Sequence, residues 1–322
     1  MGSGRWSPAT YKDRAVARAK SGKDAFQHSN DALRSGQLRV HQTLEPFGMG
    51  VRESRDSDEH PDSNAIIISL DVTGSMGRVV RGIHQDLPQL HELLLGHNYI
   101  PHPQILFAAV GDATCDQVPL QVGQFESDNR MDQHLENMIL EGGGGGQKTE
   151  SYELMLYVAA RHTSIDCWEK RQRKGYLFMI GDEMAYAHVK LPEVRGLIGG
   201  GIQTDVPLDE IIREVKQRYH LYFVIPGGAS YGADKDVLGF WNHHIAPECV
   251  IRLESPEDTS ECIGLTIGVN EGVVSMADGA EHLRKRGVIA NSIRSITKAL
   301  SALLPGDGGA KGTVRSTRPR HL

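Results

Sequence analysis

Five short apolar runs punctuate an otherwise polar chain: Ile66-Ile67-Ile68-Ser69-Leu70, Ile105-Leu106-Phe107-Ala108-Ala109-Val110, Tyr176-Leu177-Phe178-Met179-Ile180, Leu221-Tyr222-Phe223-Val224-Ile225 and, more weakly, Cys249-Val250-Ile251-Arg252-Leu253. Runs so short, rich in β-branched and aromatic residues, read as strands covered on both faces. Between them apolar residues recur at helical spacing: Val79, Ile83, Leu87, Leu90 and Leu94; Tyr152, Met155, Leu156 and Ala159; Ile211, Ile212 and Val215. Strands alternating with helices require right-handed crossovers, so the pattern predicts an α/β fold: a doubly wound, mostly parallel, Rossmann-like sheet with helices on both faces. Pro119 to Phe125 alternates apolar with polar residues, which predicts an antiparallel edge strand with one wet face.

The rest of the chain divides around this block. Residues 1–62 are polar and of mixed charge, with a helix expected over Tyr11 to Ala32 and a turn-rich stretch ending at Pro61, and they read as an arm outside the core. The α/β domain is expected over 63–255. Residues 256–304 read as a helical extension, with Leu283, Ile289, Ile293, Ile296, Leu300 and Leu303 at helical intervals, and 305–322 as a disordered tail. No internal repeat is visible.

Composition narrows the function classes. A chain of 322 residues can bury a sizeable core without staples. Its net charge of -6 and pI near 6.2 disfavour a general nucleic-acid or anionic-membrane binder. Cys115, Cys167, Cys249 and Cys262 are far apart and form no C-x-x-C pair, which suits neither a disulfide framework nor a zinc knuckle and fits a reducing compartment. The N-terminus lacks a signal-peptide apolar core, and no run reaches the roughly 18 apolar residues of a membrane span. A cytoplasmic protein is expected.

In a doubly wound sheet the ligand crevice lies beyond the carboxyl ends of the strands. The first strand runs into Asp71-Val72-Thr73-Gly74-Ser75-Met76, a carboxylate and two hydroxyls at alternate positions ahead of a helix. Thr149 follows the glycine stretch Gly142 to Gly146, and Asp182 follows the strand ending at Ile180. A small hard cation such as Mg²⁺ prefers six oxygens at about 2.0–2.1 Å and keeps several waters, so few carboxylates and some hydroxyls suit it. Asp71-x-Thr73-x-Ser75 resembles the Asp-x-Ser-x-Ser signature of the metal-ion-dependent adhesion site (MIDAS) in von Willebrand factor A-like domains, with Thr in place of the first Ser. The resemblance covers roughly residues 63–255. It implies that Thr149 is the threonine from a second loop and Asp182 the aspartate after the fourth strand, reaching the ion directly or through water, with Glu183 as a further charge. The expected ligands of the metal are therefore Asp71, Thr73, Ser75, Thr149 and Asp182, the ion Mg²⁺, with Mn²⁺ or Ca²⁺ as alternatives.

Several features imitate other chemistry. Gly142 to Thr149 approaches the P-loop form G-x-x-x-x-G-K-[ST], but Gln147 stands where the glycine before Lys148 belongs, and Met131 to Leu140 reads as an amphipathic helix where a P-loop needs a strand. Asp71 lacks the second aspartate, two residues on, of a haloacid-dehalogenase site, because Thr73 is there. Of the fifteen histidines, His84, His91 and His97 share one helical stretch and His243-His244 are adjacent, so packing and surface roles are favoured over a transition-metal site. Asp112 and Asp116 are expected to cap a turn, or else to line the crevice. Arg315, Arg318 and Arg320 read as a solvated tail.

An ion held by few carboxylates keeps positive charge and an exchangeable position, which an acidic side chain of another protein can fill. The resemblance implies a non-enzymatic, metal-dependent protein-interaction module of an intracellular bacterial or phage system, with an Asp- or Glu-bearing partner such as a MoxR-type AAA+ ATPase or an effector. Two other readings stay open: a hydrolase, phosphatase or nuclease, using the same ion as Lewis acid, and a structural assembly component with a vestigial site.

Overall fold

The sheet that the apolar runs predict is present in a computed structural model, which describes residues 4–143 and 146–303 apart from the side chains of Ser75 and Ala302. Six strands, β1 (Asn64–Asp71), β2 (Pro103–Val110), β3 (Leu120–Val122), β4 (Gly175–Ile180), β5 (Tyr219–Ile225) and β6 (Val250–Arg252), lie in the order β6-β5-β4-β1-β2-β3. All pairings are parallel except β2 with β3. Strand order reverses on either side of β1, which puts the carboxyl end of β1 at the switch point where such sheets bind ligands.

Period-two alternation along β1 divides the core in two. Ile66, Ile68 and Leu70 face one side, with helix α3 (Gly77–Gln85) and the later helix α7 (Thr259–Asn270); Ala65 and Ile67 face the other, with α4 (Tyr152–Arg161), α5 (Leu208–Arg218) and α6 (Lys235–His244). Covering on both faces explains why all eight residues of β1 are buried. Helices α8 (Met276–Lys285) and α9 (Ala290–Ala299) follow α7, and Leu283, Ile293, Ile296 and Leu300 join the core on its side of the sheet. The tail from Pro305 and its arginines lie outside the described residues.

Three sequence expectations change here. The single helix over Tyr11 to Ala32 is two helices, α1 (Pro8–Lys20) and α2 (Gln27–Ser35), because Ser21-Gly22 ends the first with Gly22 at φ +65°. The stretch expected to lie outside the core also buries Phe26 and Leu44 in the core cluster of α3 and α7. It then passes the sheet margin, where Val122 N donates to Leu44 O at 2.7 Å and Arg52–Ser54 pairs in parallel with Thr163–Ile165. The edge strand β3 is accordingly not wet: Gln121 is buried, its amide accepting from Ile139 N at 2.8 Å and donating to Ile139 O at 2.9 Å. A backbone partner satisfies the polar group that alternation assigned to solvent.

Candidate metal site

At the carboxyl end of β1 the backbone turns through Gly74, at φ +41°, into a short 3₁₀ turn (Gly74–Met76) and then α3. The glycine stretch is laid directly against this turn: Gly142 N donates to Val72 O at 3.1 Å, and Gly74 N to Gly143 O at 3.1 Å. A Cβ on Gly143 would sit 2.1 Å from the Asp116 carboxylate, which would have to swing away to admit a larger residue. Beyond lies an open cavity of about 200 Å³, lined by Thr73, Gly74, Met76, Gly143, Gly146, Asp182, Glu183, Ser230 and Tyr231.

Thr73 and Asp182 thus share one cavity, and Asp71 lies beneath it, 1 % exposed. Asp71 Oδ1 accepts from Thr73 N at 2.8 Å and from the Thr73 hydroxyl, and its Oδ2 accepts from the Tyr152 hydroxyl at 2.6 Å. Asp182 Oδ2 accepts from Tyr231 N at 2.7 Å. Thr149 is not among the residues lining the cavity; it pairs with Met184 in a two-residue parallel bridge whose next rung is Glu150 with Ala185. The side chain of Ser75 lies outside the described residues.

Electrostatically the site is a crowd of acids. Burial pushes Asp71 up to about 6, against the donors on its oxygens and with Asp182 adding to the rise. Burial, then Asp71, Glu183, Asp112 and Asp116, push Glu150 up to about 10. Burial, then Asp71, Asp182 and Asp112, push Glu183 up to about 8, although Glu150 lies in hydrogen-bond contact with it. Burial also raises Asp182. The lysine before Thr149 is spent elsewhere: Lys148 Nζ donates to Asp234 Oδ2 at 2.6 Å and Asp236 Oδ2 at 3.3 Å, while Asp234 Oδ1 caps α6 by accepting from Asp236 N and Val237 N. That engagement, and the helix (Arg130–Glu136) that precedes the glycine stretch, leave no P-loop.

Asp112 closes a turn, as expected, and does not line the cavity. Its Oδ1 accepts from Thr114 N and Oγ1, closing a turn, and its carboxylate also accepts from Tyr186 OH at 3.0 and 3.1 Å and from Gln147 Nε2 at 2.7 Å beside the site. Among the described residues no three His, Cys, Asp or Glu side chains converge closely enough to hold a cation by themselves. A cation here must draw on hydroxyl and water oxygens as well, and that fits Mg²⁺. The carboxyl groups gathered beside the cavity fit a divalent ion as well. Sequence reasoning missed Glu150, hidden beside the hydroxyl it favoured, and Tyr152, which reads as an apolar helix position because only the fold brings its hydroxyl to Asp71.

No family model and no curated protein matches the chain. Solved structures resemble it faintly. Proximal thread matrix protein 1 from the mussel byssus, in crystal form 2, aligns at TM-score 0.41 and 11 % identity over 67 % of this chain and 49 % of its own. The same protein with a zinc-occupied MIDAS motif aligns at TM-score 0.41 and 11 % identity over 68 % and 48 %. The pilus adhesin SpaC of Lactobacillus rhamnosus GG, in its open conformation, aligns at TM-score 0.44 and 8 % identity over 67 % and 31 %. The chain spans less than half the length of each, and likenesses this faint carry nothing about ligand or activity.

Proposed function

We propose that the protein is a von Willebrand factor A-like, non-enzymatic interaction module that presents a divalent ion, Mg²⁺ in the cell, at the carboxyl end of β1, and that a partner protein's Asp or Glu completes the coordination. One observation carries this reading: Thr73 and Asp182, 109 positions apart in sequence, line one open cavity above the buried Asp71 carboxylate. Thr73 and Asp182 hold the ion, with Ser75 as the next hydroxyl in the motif and Asp71 orienting Thr73. The ion supplies an exchangeable, electrophilic position.

On the resemblance, a MoxR-type AAA+ ATPase or an effector is the first partner to test. Four free cysteines suit a reducing compartment, and no helix among the described residues is long and apolar enough to cross a membrane. The test is a pull-down from native lysate with the full chain in Mg²⁺, in EDTA and as Asp71→Ala. Partners captured only by the wild type in Mg²⁺ are expected; the same partners in EDTA would sink the proposal.

A further inference from the structure

Four carboxyl groups gather here, those of Asp71, Asp182, Glu150 and Glu183, and two of them belong to glutamates that the Thr73–Asp182 ion does not need. In the bridge that joins their segments, Thr149 lies opposite Met184 and Glu150 opposite Ala185, with Met184 N donating to Lys148 O at 3.0 Å. Glu183 immediately precedes this bridge, and its side chain lies in hydrogen-bond contact with that of Glu150. Glu150 is 1 % exposed. Its Oε2 and the Oε2 of Glu183 are both buried with no hydrogen-bond partner, and neither side chain forms an ion pair with a described basic residue. Buried carboxylate oxygens without donors are costly and rare, and two that face each other ask for a shared cation.

We propose that Glu150 and Glu183 bind a second divalent cation beside the first, a hard ion of the Mg²⁺ or Mn²⁺ class held by two carboxylates and completed by water. The proposal rests on the first ion at Thr73 and Asp182.

Counting ions tests this. The full chain, stripped with EDTA, is titrated with Mn²⁺ while free Mn²⁺ is followed by electron paramagnetic resonance, and circular dichroism confirms that each variant is folded. Two Mn²⁺ per wild-type chain are expected, falling to one in both Glu150→Gln and Glu183→Gln, with the wild-type signal showing coupling between neighbouring ions. One Mn²⁺ per wild-type chain overturns the second site and leaves the first. Two in the wild type that persist in both glutamine variants also overturn it, because the extra ion then lies elsewhere. No bound Mn²⁺ at all overturns the proposed function as well.

Discussion

The phenol of Tyr152 is the least expected side chain in the site and one of the most informative. Its hydroxyl reaches Asp71 Oδ2 at 2.6 Å, and a Cβ on Gly181 would lie 2.0 Å from that oxygen, so glycine before Asp182 is what admits the contact. A partner that orients a carboxylate beside a metal typically changes affinity by about 10- to 100-fold when removed. Tyr152→Phe should therefore weaken Mn²⁺ binding by about that factor in a Mn²⁺ titration; unchanged affinity would show that the bond to Asp71 is only packing. A second buried group acts away from the site. His91 stacks on Trp6 with ring centroids 4.4 Å apart, has no hydrogen-bond partner on either nitrogen, and is pushed by burial from 6.5 down to about 3. Below about 6.5 the unfolded chain binds a proton that the folded chain refuses until about pH 3. The stability this group contributes is therefore complete above 6.5 and falls as the pH drops, by up to about 1.4 kcal/mol per pH unit. Between pH 7 and 5, urea denaturation should show the wild type losing about 2 kcal/mol relative to His91→Phe; parallel pH curves would mean that the folded ring accepts the proton.

At the scale of elements, what was legible depended on how local the signal is. The strands β1, β2, β4 and β5 were legible because each carries a run of apolar residues, which burial on both faces tolerates, while β6 at the sheet edge, with Arg252 exposed, gives a weaker run. Asp71, Thr73 and Asp182 were legible because their position at a strand's end sends them toward the switch point. The N-terminal segment was not, because it is anchored by isolated residues: Phe26 and Leu44 stand among polar neighbours, and no periodicity announces them. Helix α1 shows how a polar element docks, with no residue buried and with Arg14 donating to Asp132 at 2.6 Å, Arg18 to Glu136, and Tyr11 OH to His84 O at 2.7 Å. Glu150 and Glu183 were obscure for a related reason, since their meaning arises from a bridge between segments some thirty residues apart. If the segment is part of the core, Leu44→Ala should cost about 2–5 kcal/mol in denaturant unfolding, as a fully buried leucine does; a loss below about 0.5 kcal/mol, the usual size for a surface change, would restore the detached arm.

Across the whole molecule, one arrangement separates what holds the fold from what the fold holds. The sheet is closed by apolar surface on both faces, while the site is a set of acids at its carboxyl end whose mutual repulsion opposes folding until a cation arrives. A ligand that binds only the folded state stabilises it by RT ln(1 + [L]/Kd), about 2.7 kcal/mol at 100 times Kd. Mg²⁺ should therefore raise the unfolding free energy of the wild type by about that amount at such a concentration, and leave Asp182→Asn, which loses a donor to the ion, with a much smaller gain. Leu44→Ala should behave the other way: less stable from the start, yet gaining the same increment from Mg²⁺ as the wild type, because Leu44 supplies apolar packing at the sheet margin and no donor to the ion, and the effects of separate sites add. Denaturant unfolding of the three proteins with and without Mg²⁺ reads both quantities at once. An increment that shrinks in Leu44→Ala would tie the N-terminal segment to the ion; an increment that survives intact in Asp182→Asn would remove the ion from the cavity altogether.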